Sequence, residues 1–460
     1  MKSIVKKIIP KSVRNLRHLL VARKGAVKYH FPSEELFVIG VTGTSGKSST
    51  IDFLRQSLES VGFRVGSLST VDFYVAGKQT MNDQKMTMLG LAQIQKYLRK
   101  MVEAKCDIAI VETTSEGFLQ YRHKYINYDT IVLTNLYPEH IDAHGSFENY
   151  KGAKLGIFEY VSKCRKKTNK KLENFFEGEK SIPKRAFVNG NCANAKEFLS
   201  FSFDEAGLFY RDDEIIYADK AYGNNGDFSL SAKEVEVKKE GLSFVVGEIP
   251  FFAPLFGEFN VMNILPVIGI LRSLNVDWKK IQKAVEKLKG VPGRVEFIPE
   301  AKTQGFQVIV DYAFEPVAIE ALYEVVKLQK PKRIIHVFGS TGGGRDVGRR
   351  ATVGEFIGNN ADIAIVTDED PYDDNPMDII QDVRIAVEKT GKKIDKDVFE
   401  VLDRKEAIHM ALTMANKGDI VLITGKGSEQ GMVVKGKIIP SDDRQIVRNM
   451  LLKNTRQVHK

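Results

Sequence analysis

A single pattern recurs along this chain: a short run of aliphatic and β-branched residues that stops at Gly, Thr, Asp or Asn. Continuous apolar runs of this length are typical of strands buried on both faces of a parallel sheet. Helix-spaced apolar residues follow the first run, at Ile51, Leu54 and Leu58. Alternating strands and helices predict an α/β fold that binds ligands beyond the carboxyl ends of its strands. The runs that end in polar clusters begin at Phe37, Ile108, Thr130, Val308, Ile334, Ile363 and Ile420.

The positive charge of the chain is concentrated at its start. The chain has 68 Lys and Arg against 59 Asp and Glu, and residues 1–33 hold nine of the basic residues and no acid. The rest is neutral, which argues against a general nucleic-acid-binding protein. Leu16 and Leu20 belong to a partly helix-spaced apolar set in this arm. Two interpretations stay open: the arm contacts an anionic membrane surface, or it packs on the body with a solvated basic face.

Cysteine usage and hydropathy exclude several protein classes. The three cysteines are far apart and form no CxxC pair, so the sequence indicates neither a disulfide framework nor a zinc ribbon. The apolar runs are shorter than the roughly 20 residues of a membrane span, and we find no secretory signal. We therefore expect a cytoplasmic protein in a reducing compartment.

The segment after the first run has the features of a phosphate-binding loop. It contains Gly43, Thr44, Ser45, Gly46, Lys47, Ser48 and Ser49 between a predicted strand and a predicted helix. Backbone N–H groups at such a turn bind phosphate, Lys47 would reach the β- and γ-phosphates, and Ser48 would bind Mg²⁺. The usual spacing has glycine at position 41, where this chain has valine. A glycine-rich turn without a nucleotide is the alternative.

The motifs along the chain, in their order, carry a family resemblance. They are GVTGTSGKSS, VETTSEGFLQYR, TNLYPEHIDAHG, YKGAKLGIF, LFGEFNVMN, VPGRVE, DYAFEP, FGSTGGGRDVGRR, TDEDPYDDNP, ITGKGSE and SDDR. Together they resemble the Mur ligase family of ATP-dependent amide-forming enzymes, most of all its tripeptide synthetase branch. The resemblance implies a central P-loop ATPase domain with a mostly parallel sheet and a C-terminal Rossmann-like α/β domain. We expect the arm at residues 1–35 and these two domains at 36–291 and 292–460.

The resemblance implies ATP and two Mg²⁺ ions as cofactors. Glu112 matches a Mg²⁺ ligand, and His140 matches a histidine on the second Mg²⁺. Lys154 matches a lysine that relatives carbamylate, which turns its amine into an anionic metal ligand. The alternatives are a solvated strand-end glutamate and a surface lysine. A zinc site formed by His140 and His144 is a further alternative.

The resemblance also implies residues around the nucleotide base and at the start of the C-terminal domain. Asn260 and Asn263 match adenine-contacting asparagines, with helix capping as the alternative. Arg294 and Asp311 match residues with which the C-terminal domain closes over ATP. The histidine that follows in relatives is Phe314 here, so a polar contact by that side chain is absent.

The implied reaction is a ligation. ATP phosphorylates a carboxylate to an acyl phosphate, and the amine of an amino acid attacks it to give an amide, ADP and phosphate. Catalysis would rest on positioning and on charge stabilisation by Mg²⁺, Lys47 and His140. The pathway implied is peptidoglycan synthesis, with its links to cell wall, cell shape and cell division.

On the acceptor side, Thr87, Ser115, Gln120 and Arg122 match substrate-contacting positions of the family. Full-length relatives place a UDP-binding domain before the phosphate loop, whereas about 40 residues precede the loop in this sequence. We therefore expect a muramoyl-peptide-like carboxylate as acceptor and leave open whether UDP is attached.

The amino-acid side should belong to the C-terminal domain. Arg345, Arg349 and Arg350 are candidates for the α-carboxylate of the amino acid or for phosphate. Relatives that select diaminopimelate carry a DNPR motif, and here Asp370 and Tyr372 replace its asparagine and arginine. We hypothesise that lysine or ornithine suits this loop better, with an unselective solvated loop as the alternative. The neighbouring loop contributes Gly425 and Glu429.

Two other functions compete with this hypothesis. One is a sister ligase, such as a folylpolyglutamate synthetase or another Mur-related enzyme that acts on a non-UDP carboxylate. The other is a binding protein with a decayed ATPase, which the joint presence of Lys47, Ser48, Glu112, His140 and Lys154 disfavours. We expect a monomer with small-molecule substrates and no nucleic acid.

Overall fold

The structure of the chain is a computed structural model. It describes residues 11–82, 86–138, 144–168, 181–212, 228–238, 240–344 and 347–458. The chain divides into two compact units, Met1–Lys289 and Gly290–Lys460.

The first unit is built on one eleven-stranded sheet in the order β11-β10-β9-β8-β7-β6-β1-β5-β2-β3-β4. The strands from β9 to β2 pair in parallel, and the two ends of the sheet are antiparallel. The strands are β1 Phe37–Thr42, β2 Val65–Leu68, β3 Asp72–Val75, β4 Lys78–Met81, β5 Ile108–Glu112, β6 Thr130–Leu133, β7 Arg185–Asn189, β8 Glu205–Arg211, β9 Phe228–Lys238, β10 Gly241–Val246 and β11 Ile249–Ala253.

The helices of the first unit cover this sheet. They are α1 Lys11–Lys28, α2 Lys47–Ser60, α3 Leu91–Glu103, α4 Ser115–Leu119, α5 Phe147–Ser162, α6 Ala195–Leu199, α7 Asn260–Ser273 and α8 Trp278–Glu286. The central strands β1, β5 and β6 are buried along their whole length, as the continuous apolar runs predict. Because β1 pairs in parallel with both β5 and β6, the residues after these three strands meet at one edge of the sheet.

The second unit has a six-stranded sheet in the order β12-β13-β17-β14-β15-β16 and a separate hairpin, β18-β19. The strands are β12 Glu296–Phe297, β13 Gln307–Val310, β14 Ile334–Phe338, β15 Ile363–Thr367, β16 Val398–Val401, β17 Ile420–Ile423, β18 Gly431–Val434 and β19 Lys437–Pro440. The helices are α9 Pro316–Leu328, α10 Val347–Asn360, α11 Pro376–Glu388, α12 Arg404–Met414 and α13 Asp443–Val458. All pairs from β13 to β16 are parallel.

These observations confirm the predicted fold class: a mostly parallel P-loop sheet and a second α/β unit of Rossmann-like layout. Apolar clusters lie on both faces of the second sheet, as layered α/β packing requires. Within the described ranges, no helix combines the length and hydrophobicity needed to cross a membrane.

Candidate active site

The phosphate loop lies between β1 and α2, and two glycines shape it. Gly43 and Gly46 have φ of +149° and +75°. A Cβ on Gly43 would lie 1.9 Å from Thr134 Oγ1, and one on Gly46 would lie 2.3 Å from Asn263 Oδ1. Neither position admits a side chain. Val41, by contrast, is a fully buried residue of β1, so the local backbone does not need glycine there.

Asn135, just after β6, holds the backbone of this loop. Its Oδ1 accepts hydrogen bonds from Thr44 N at 3.1 Å and Ser45 N at 2.8 Å. Two loop amides thus already converge on one oxygen atom. A phosphate oxygen likewise accepts hydrogen bonds from converging backbone N–H groups, so the loop has the geometry to bind a nucleotide phosphate.

Two lysines donate to the same carbonyl of the loop. Lys47 Nζ lies 3.1 Å from Gly43 O, and Lys154 Nζ lies 2.8 Å from it. Lys154 is 1% exposed on α5, so the surface-lysine alternative is wrong. Lys151, one turn earlier, instead forms ion pairs with Glu148 and Glu197. Two cationic groups at the loop suit the charge of a triphosphate.

Glu112 ends β5 beside the loop, and its carboxylate is buried. Its Oε2 accepts from Ser48 Oγ at 3.2 Å, from Thr70 N at 2.7 Å and from Thr70 Oγ1 at 3.0 Å. Adjacent ligands of an octahedral Mg²⁺ with bonds of about 2.1 Å lie about 3 Å apart. The Ser48 and Glu112 oxygens therefore have the chemistry and spacing of two ligands of one Mg²⁺. The solvated-glutamate alternative is wrong, because Glu112 is 1% exposed.

The two asparagines of α7 also reach the loop. Asn263 Oδ1 faces Gly46 and accepts from Thr50 Oγ1 at 3.5 Å, while its Nδ2 donates to Asn260 Oδ1 at 2.9 Å. The N-cap of α7 is Phe259, with no side-chain cap bond. The structure thus places Asn260 and Asn263 next to the phosphate loop, and helix capping does not explain them.

Three of the predicted acceptor-side residues lie together. Arg122 donates to Gln120 Oε1 at 2.6 Å and, through its other terminal nitrogen, to Met88 O. Met88 follows Thr87, so this arginine ties the segment after α4 to the threonine-containing loop before α3.

Ser115 is hydrogen-bonded to His144, which the sequence suggested only as a zinc ligand beside His140. Ser115 Oγ and His144 Nε2 are 3.1 Å apart, and the His144 ring packs edge-on against Tyr150. Burial lowers the pKa of His144, and the charge of Glu116 opposes that shift. His140 lies outside the described residues, so neither its magnesium role nor the zinc alternative is tested. Within the described ranges, no group of three or more His, Cys, Asp or Glu side chains is arranged around a common metal position.

In the second unit, Arg294 lies two residues before β12, and Asp311 directly follows β13. The Arg294 guanidinium stacks over the Tyr312 ring at 4.3 Å. The Asp311 carboxylate accepts from Val295 N at 2.5 Å and Ala313 N at 2.6 Å. Burial raises the pKa of Asp311, and the Arg294 charge opposes that shift. These residues therefore brace two loops of the unit.

Arg349 lies on α10 against the residue that replaces the family histidine. Its guanidinium is 4.9 Å from the Phe314 ring centroid and pairs with Glu315. Arg345 lies outside the described residues. Of the three predicted arginines, the structure places Arg349 in a cation–π contact that the Phe314 replacement makes available. Arg350 forms an ion pair with Asp382 at 2.8 Å.

The acidic loop after β15 is fixed by bonds between its Asp370 and residues of the second unit. Asp370 accepts from Lys426 Nζ at 2.9 Å and from Val433 N at 2.6 Å. Lys426 also pairs with Glu429, whose other oxygen accepts from Tyr312 at 3.1 Å. Burial opposes the charge of Lys426, but Glu429 and Asp370 outweigh burial and raise its pKa. The charge of Asp370 is therefore compensated by a lysine, which weakens the idea that Asp370 itself recognises a distal amine.

Glu369, next to Asp370, is a buried acid. Within the described part of the chain, its Oε2 has no hydrogen-bond partner. Burial raises its pKa to about 7, opposed by Arg404 and Lys426. Gly425, with φ of +100°, leaves room for this carboxylate, since a Cβ there would lie 2.1 Å from Glu369 Oε2. Tyr372 adopts φ of +55°, and its backbone pairs with the β18-β19 hairpin.

Sequence reasoning missed several residues that build these sites: Thr70, Asn135, Glu369 and Lys426. It considered His144 only as a zinc ligand beside His140. Asn135, Glu369 and Lys426 lie within motifs, as with Lys426 in ITGKGSE and Asn135 in TNLYPEH. Thr70 follows β2, whose apolar run is short, and only the pairing of β2 with β5 brings it to Glu112.

Comparisons with known proteins find sequence matches over both units of the chain. Residues 41–271 match the Mur ligase middle domain, and residues 293–427 match the Mur ligase, glutamate ligase domain. A UDP-N-acetylmuramyl-tripeptide synthetase of Roseiflexus sp. (strain RS-1) is 32% identical over 439 residues, which cover 94% of this chain and 81% of that protein. A UDP-N-acetylmuramoyl-L-alanyl-D-glutamate--2,6-diaminopimelate ligase 2 of Clostridium acetobutylicum is 30% identical, with coverages of 92% and 80%.

A solved structure shares the fold at lower identity. Mycobacterium tuberculosis folylpolyglutamate synthase superposes with a TM-score of 0.67 at 15% identity, covering 96% of this chain and 99% of that chain. At this identity the likeness concerns the fold alone. The sequence matches decide the family: the chain belongs to the Mur ligase family, and it is an ATP-dependent ligase that forms amide bonds in peptidoglycan synthesis.

Proposed function

We propose that this chain joins an amino acid to a muramoyl-peptide-like carboxylate through an acyl phosphate. The observation that carries the proposal is the convergence of Lys47, Ser48, Glu112 and Lys154 on one phosphate loop. The acceptor carboxylate attacks the γ-phosphate of ATP and releases ADP. The amine then attacks the acyl carbon, phosphate leaves, and the amine proton is lost to give the amide.

The residues of the first unit have separate duties in this proposal. The amides of Thr44 and Ser45 and the amine of Lys47 bind the phosphate oxygens and offset their charge as the γ-phosphate transfers. Ser48 and Glu112 would hold the first Mg²⁺, which supplies Lewis-acid charge stabilisation when bound. Asn260 and Asn263 would bind the adenine base, and Ser49 would extend the loop contacts. Arg294 and Asp311, which belong to the second unit, would also contact the nucleotide.

We propose a second Mg²⁺ position that involves His140 and a carbamylated Lys154. The support is chemical: Lys154 is buried beside the phosphate loop, where a carbamate would replace an ammonium with an anionic oxygen donor. Hard oxygen ligands are those that Mg²⁺ prefers.

On the acceptor side, Thr87, Ser115, Gln120 and Arg122 would bind the carboxylated substrate. The bonds of Arg122 to Gln120 and Met88 support a preformed site. The names of the relatives support a sugar-peptide acceptor. Attachment of UDP to that acceptor is outside the proposal.

On the amino-acid side, the second unit would bind the amino acid through Arg345, Arg349, Asp370, Tyr372, Gly425 and Glu429. We propose a preference for an amino acid without the distal carboxylate of diaminopimelate. The support is Tyr372, which offers no guanidinium at the position of the DNPR arginine. Nearby in the chain, Glu369 Oε2 has no hydrogen-bond partner among the residues that the structure describes.

The proposal includes the organisation of the whole chain. Residues 36–291 and 292–460 would act as the nucleotide-binding and amino-acid-binding domains of a monomer that works in the cytoplasm, where ATP is available. Residues 1–35 would bring it into peripheral contact with the inner membrane face.

A substrate panel tests the proposal. Phosphate release is measured with ATP, Mg²⁺, a muramoyl-dipeptide acceptor with or without UDP, and lysine, ornithine or diaminopimelate. The Lys47→Met variant is the blank. Release that needs both acceptor and amino acid supports the proposal. Activity confined to a pterin acid with glutamate would instead identify a folylpolyglutamate synthetase-like ligase, and no stimulated release by any pair would contradict ligation.

A further inference from the structure

The outward face of helix α1 carries an apolar stripe. Leu16, Leu20 and Val27 are 58%, 50% and 54% exposed. At 100° per residue these three positions fall within a sector of about 40° around the helix axis. They therefore extend into solvent from one side of the helix rather than being scattered around it.

Basic residues surround this stripe. Arg23 lies about 20° beyond one edge of this sector, and Lys24, Arg17 and Lys28 lie beyond the other edge. Residues 1–33 contain no acid to offset them. Long basic side chains can lay their methylene groups along an apolar surface and extend their charged ends to phosphate groups. An apolar stripe with a basic border is typical of helices that lie in the interface of an anionic membrane.

The opposite face of α1 fixes the helix to the body. Ala22 and Ala26 are buried, and a Cβ on Gly25 would lie 2.9 Å from Ala92 Cα at the start of α3. Arg99 of α3 donates to Tyr29 O at 3.0 Å, just beyond the end of α1. The body-packing interpretation of the arm is therefore correct for α1, and the stripe is held in a fixed orientation.

The helix that supports α1 continues directly from the acceptor loop. Thr87 and Met88 precede α3 by a few residues, and Arg122 anchors that loop at Met88 O. Helix α3 therefore packs against α1 and begins directly after the loop of the proposed acceptor site.

We infer that the Leu16, Leu20 and Val27 stripe with its basic border docks on an anionic lipid surface. The inference rests on the proposed function where it concerns the acceptor site. It deepens that function by naming an anionic membrane as the partner of α1. A second copy of this chain fits the stripe less well, because a two-fold contact would bring the same basic residues together. An anionic lipid surface complements both the charge and the apolar strip.

The test is co-sedimentation of the full chain with vesicles. One set contains phosphatidylglycerol and phosphatidylcholine in equal amounts, and the other contains phosphatidylcholine alone. The variants are Leu16→Ser/Leu20→Ser and Arg23→Gln/Lys24→Gln. The matched control is Leu328→Ser/Leu452→Ser, which removes two leucines of similar exposure from the second unit. Thermal melting verifies that each variant is folded.

We expect the unaltered chain and the control to bind the anionic vesicles, and both α1 variants to bind about tenfold or more weakly. Added salt should weaken the binding of the unaltered chain. Equal binding of the variants and the unaltered chain, or no preference for anionic lipid, overturns the inference. Self-association that the leucine substitutions abolish would assign the stripe to a second copy instead. Ligase assays on the same variants without vesicles measure the proposed function by itself. They distinguish failure of lipid binding from failure of the proposed function.

Discussion

Ser48 Oγ donates to Glu112 Oε2 across 3.2 Å, which joins the first turn of α2 to the end of β5. Both groups prefer hard cations, and their spacing is that of neighbouring ligands around Mg²⁺. Thr70 donates to the same carboxylate oxygen through its hydroxyl and its backbone N–H. Ser48 follows β1, Thr70 follows β2 and Glu112 ends β5, so three neighbouring parallel strands determine where this carboxylate lies.

The hydroxyl of Thr70 should influence magnesium affinity without itself binding the metal. Thr70→Val keeps the shape of the side chain and removes the bond to Glu112. We expect about 10–100-fold more Mg²⁺ to be needed for half-maximal phosphate release, since partners of metal ligands contribute at this level. Thr80→Val on β4, at an exposed position, is the control and should leave the magnesium titration unchanged. Equal titrations for both variants would contradict the role of Thr70.

Lys154 should be required for chemistry, whereas its neighbour Lys151 should not. Lys154→Ala is expected to lower kcat about 100–1000-fold, the usual loss when a charge-stabilising group is removed. Lys151→Ala removes surface ion pairs and should change kcat less than about twofold. Both are measured as amino-acid-dependent phosphate release. If Lys154 is carbamylated, a short-chain carboxylate in the assay should restore part of the lost activity, and mass spectrometry of the intact chain should detect the carbamate.

His144 should position the acceptor through Ser115. His144→Phe removes the hydrogen bond to Ser115, and we expect the acceptor KM to rise about tenfold while the ATP KM is unchanged. His144→Gln, which keeps a hydrogen-bonding group, should recover part of this loss. His123→Phe is the control, because His123 is buried against Phe118 and its ring nitrogens have no partner in the described residues. Parallel changes in both KM values would indicate a structural role only.

Tyr372 should help to exclude diaminopimelate. Tyr372→Arg restores the guanidinium of the DNPR motif, so we expect diaminopimelate to gain at least about tenfold in kcat/KM relative to lysine. Val401→Arg at the end of β16 adds the same charge elsewhere in the unit as a control. An unaltered chain that already prefers diaminopimelate would refute the proposed amino-acid preference.

The buried carboxyl of Glu369 should make stability depend on pH. Burial raises its pKa from 4.5 to about 7, so the folded chain binds its proton more tightly than the unfolded chain. Below pH 4.5 this group costs nothing, and its cost grows as pH rises to about 7, where it reaches about 3 kcal/mol. Glu369→Gln should therefore gain stability over the unaltered chain between pH 5 and 8. Glu320→Gln, an exposed control, should show no such trend in denaturant melts at each pH.

The sheet architecture was predictable because buried parallel strands appear in sequence as uninterrupted apolar runs. Phe37–Thr42, Ile108–Glu112 and Thr130–Leu133 are such runs, and all three are central strands. The polar residues that follow them were predictable for the same reason, since parallel strands deliver their carboxyl ends to one edge.

Residues whose role depends on distant pairing were not predictable in this way. Lys426 and Asp370 lie 56 residues apart and form their ion pair only after β15 and β17 are placed in one sheet. The sequence showed Asp370 as an added charge, whereas burial with Lys426 neutralises that charge. Likewise, the small residues Ala22, Gly25 and Ala26 gave no apolar signal, yet they decide which face of α1 is turned outward.

The most direct test of the central claim follows the oxygen atoms of the acceptor carboxylate. A muramoyl-dipeptide acceptor labelled with heavy oxygen in its reacting carboxyl group is incubated with ATP, Mg²⁺, lysine and the full chain. An acyl-phosphate ligase transfers one labelled oxygen to phosphate for each amide formed, and mass spectrometry of the phosphate detects it. We predict labelled phosphate in a one-to-one ratio with the amide product. Amide formation with unlabelled phosphate, or phosphate release without amide, would contradict the account.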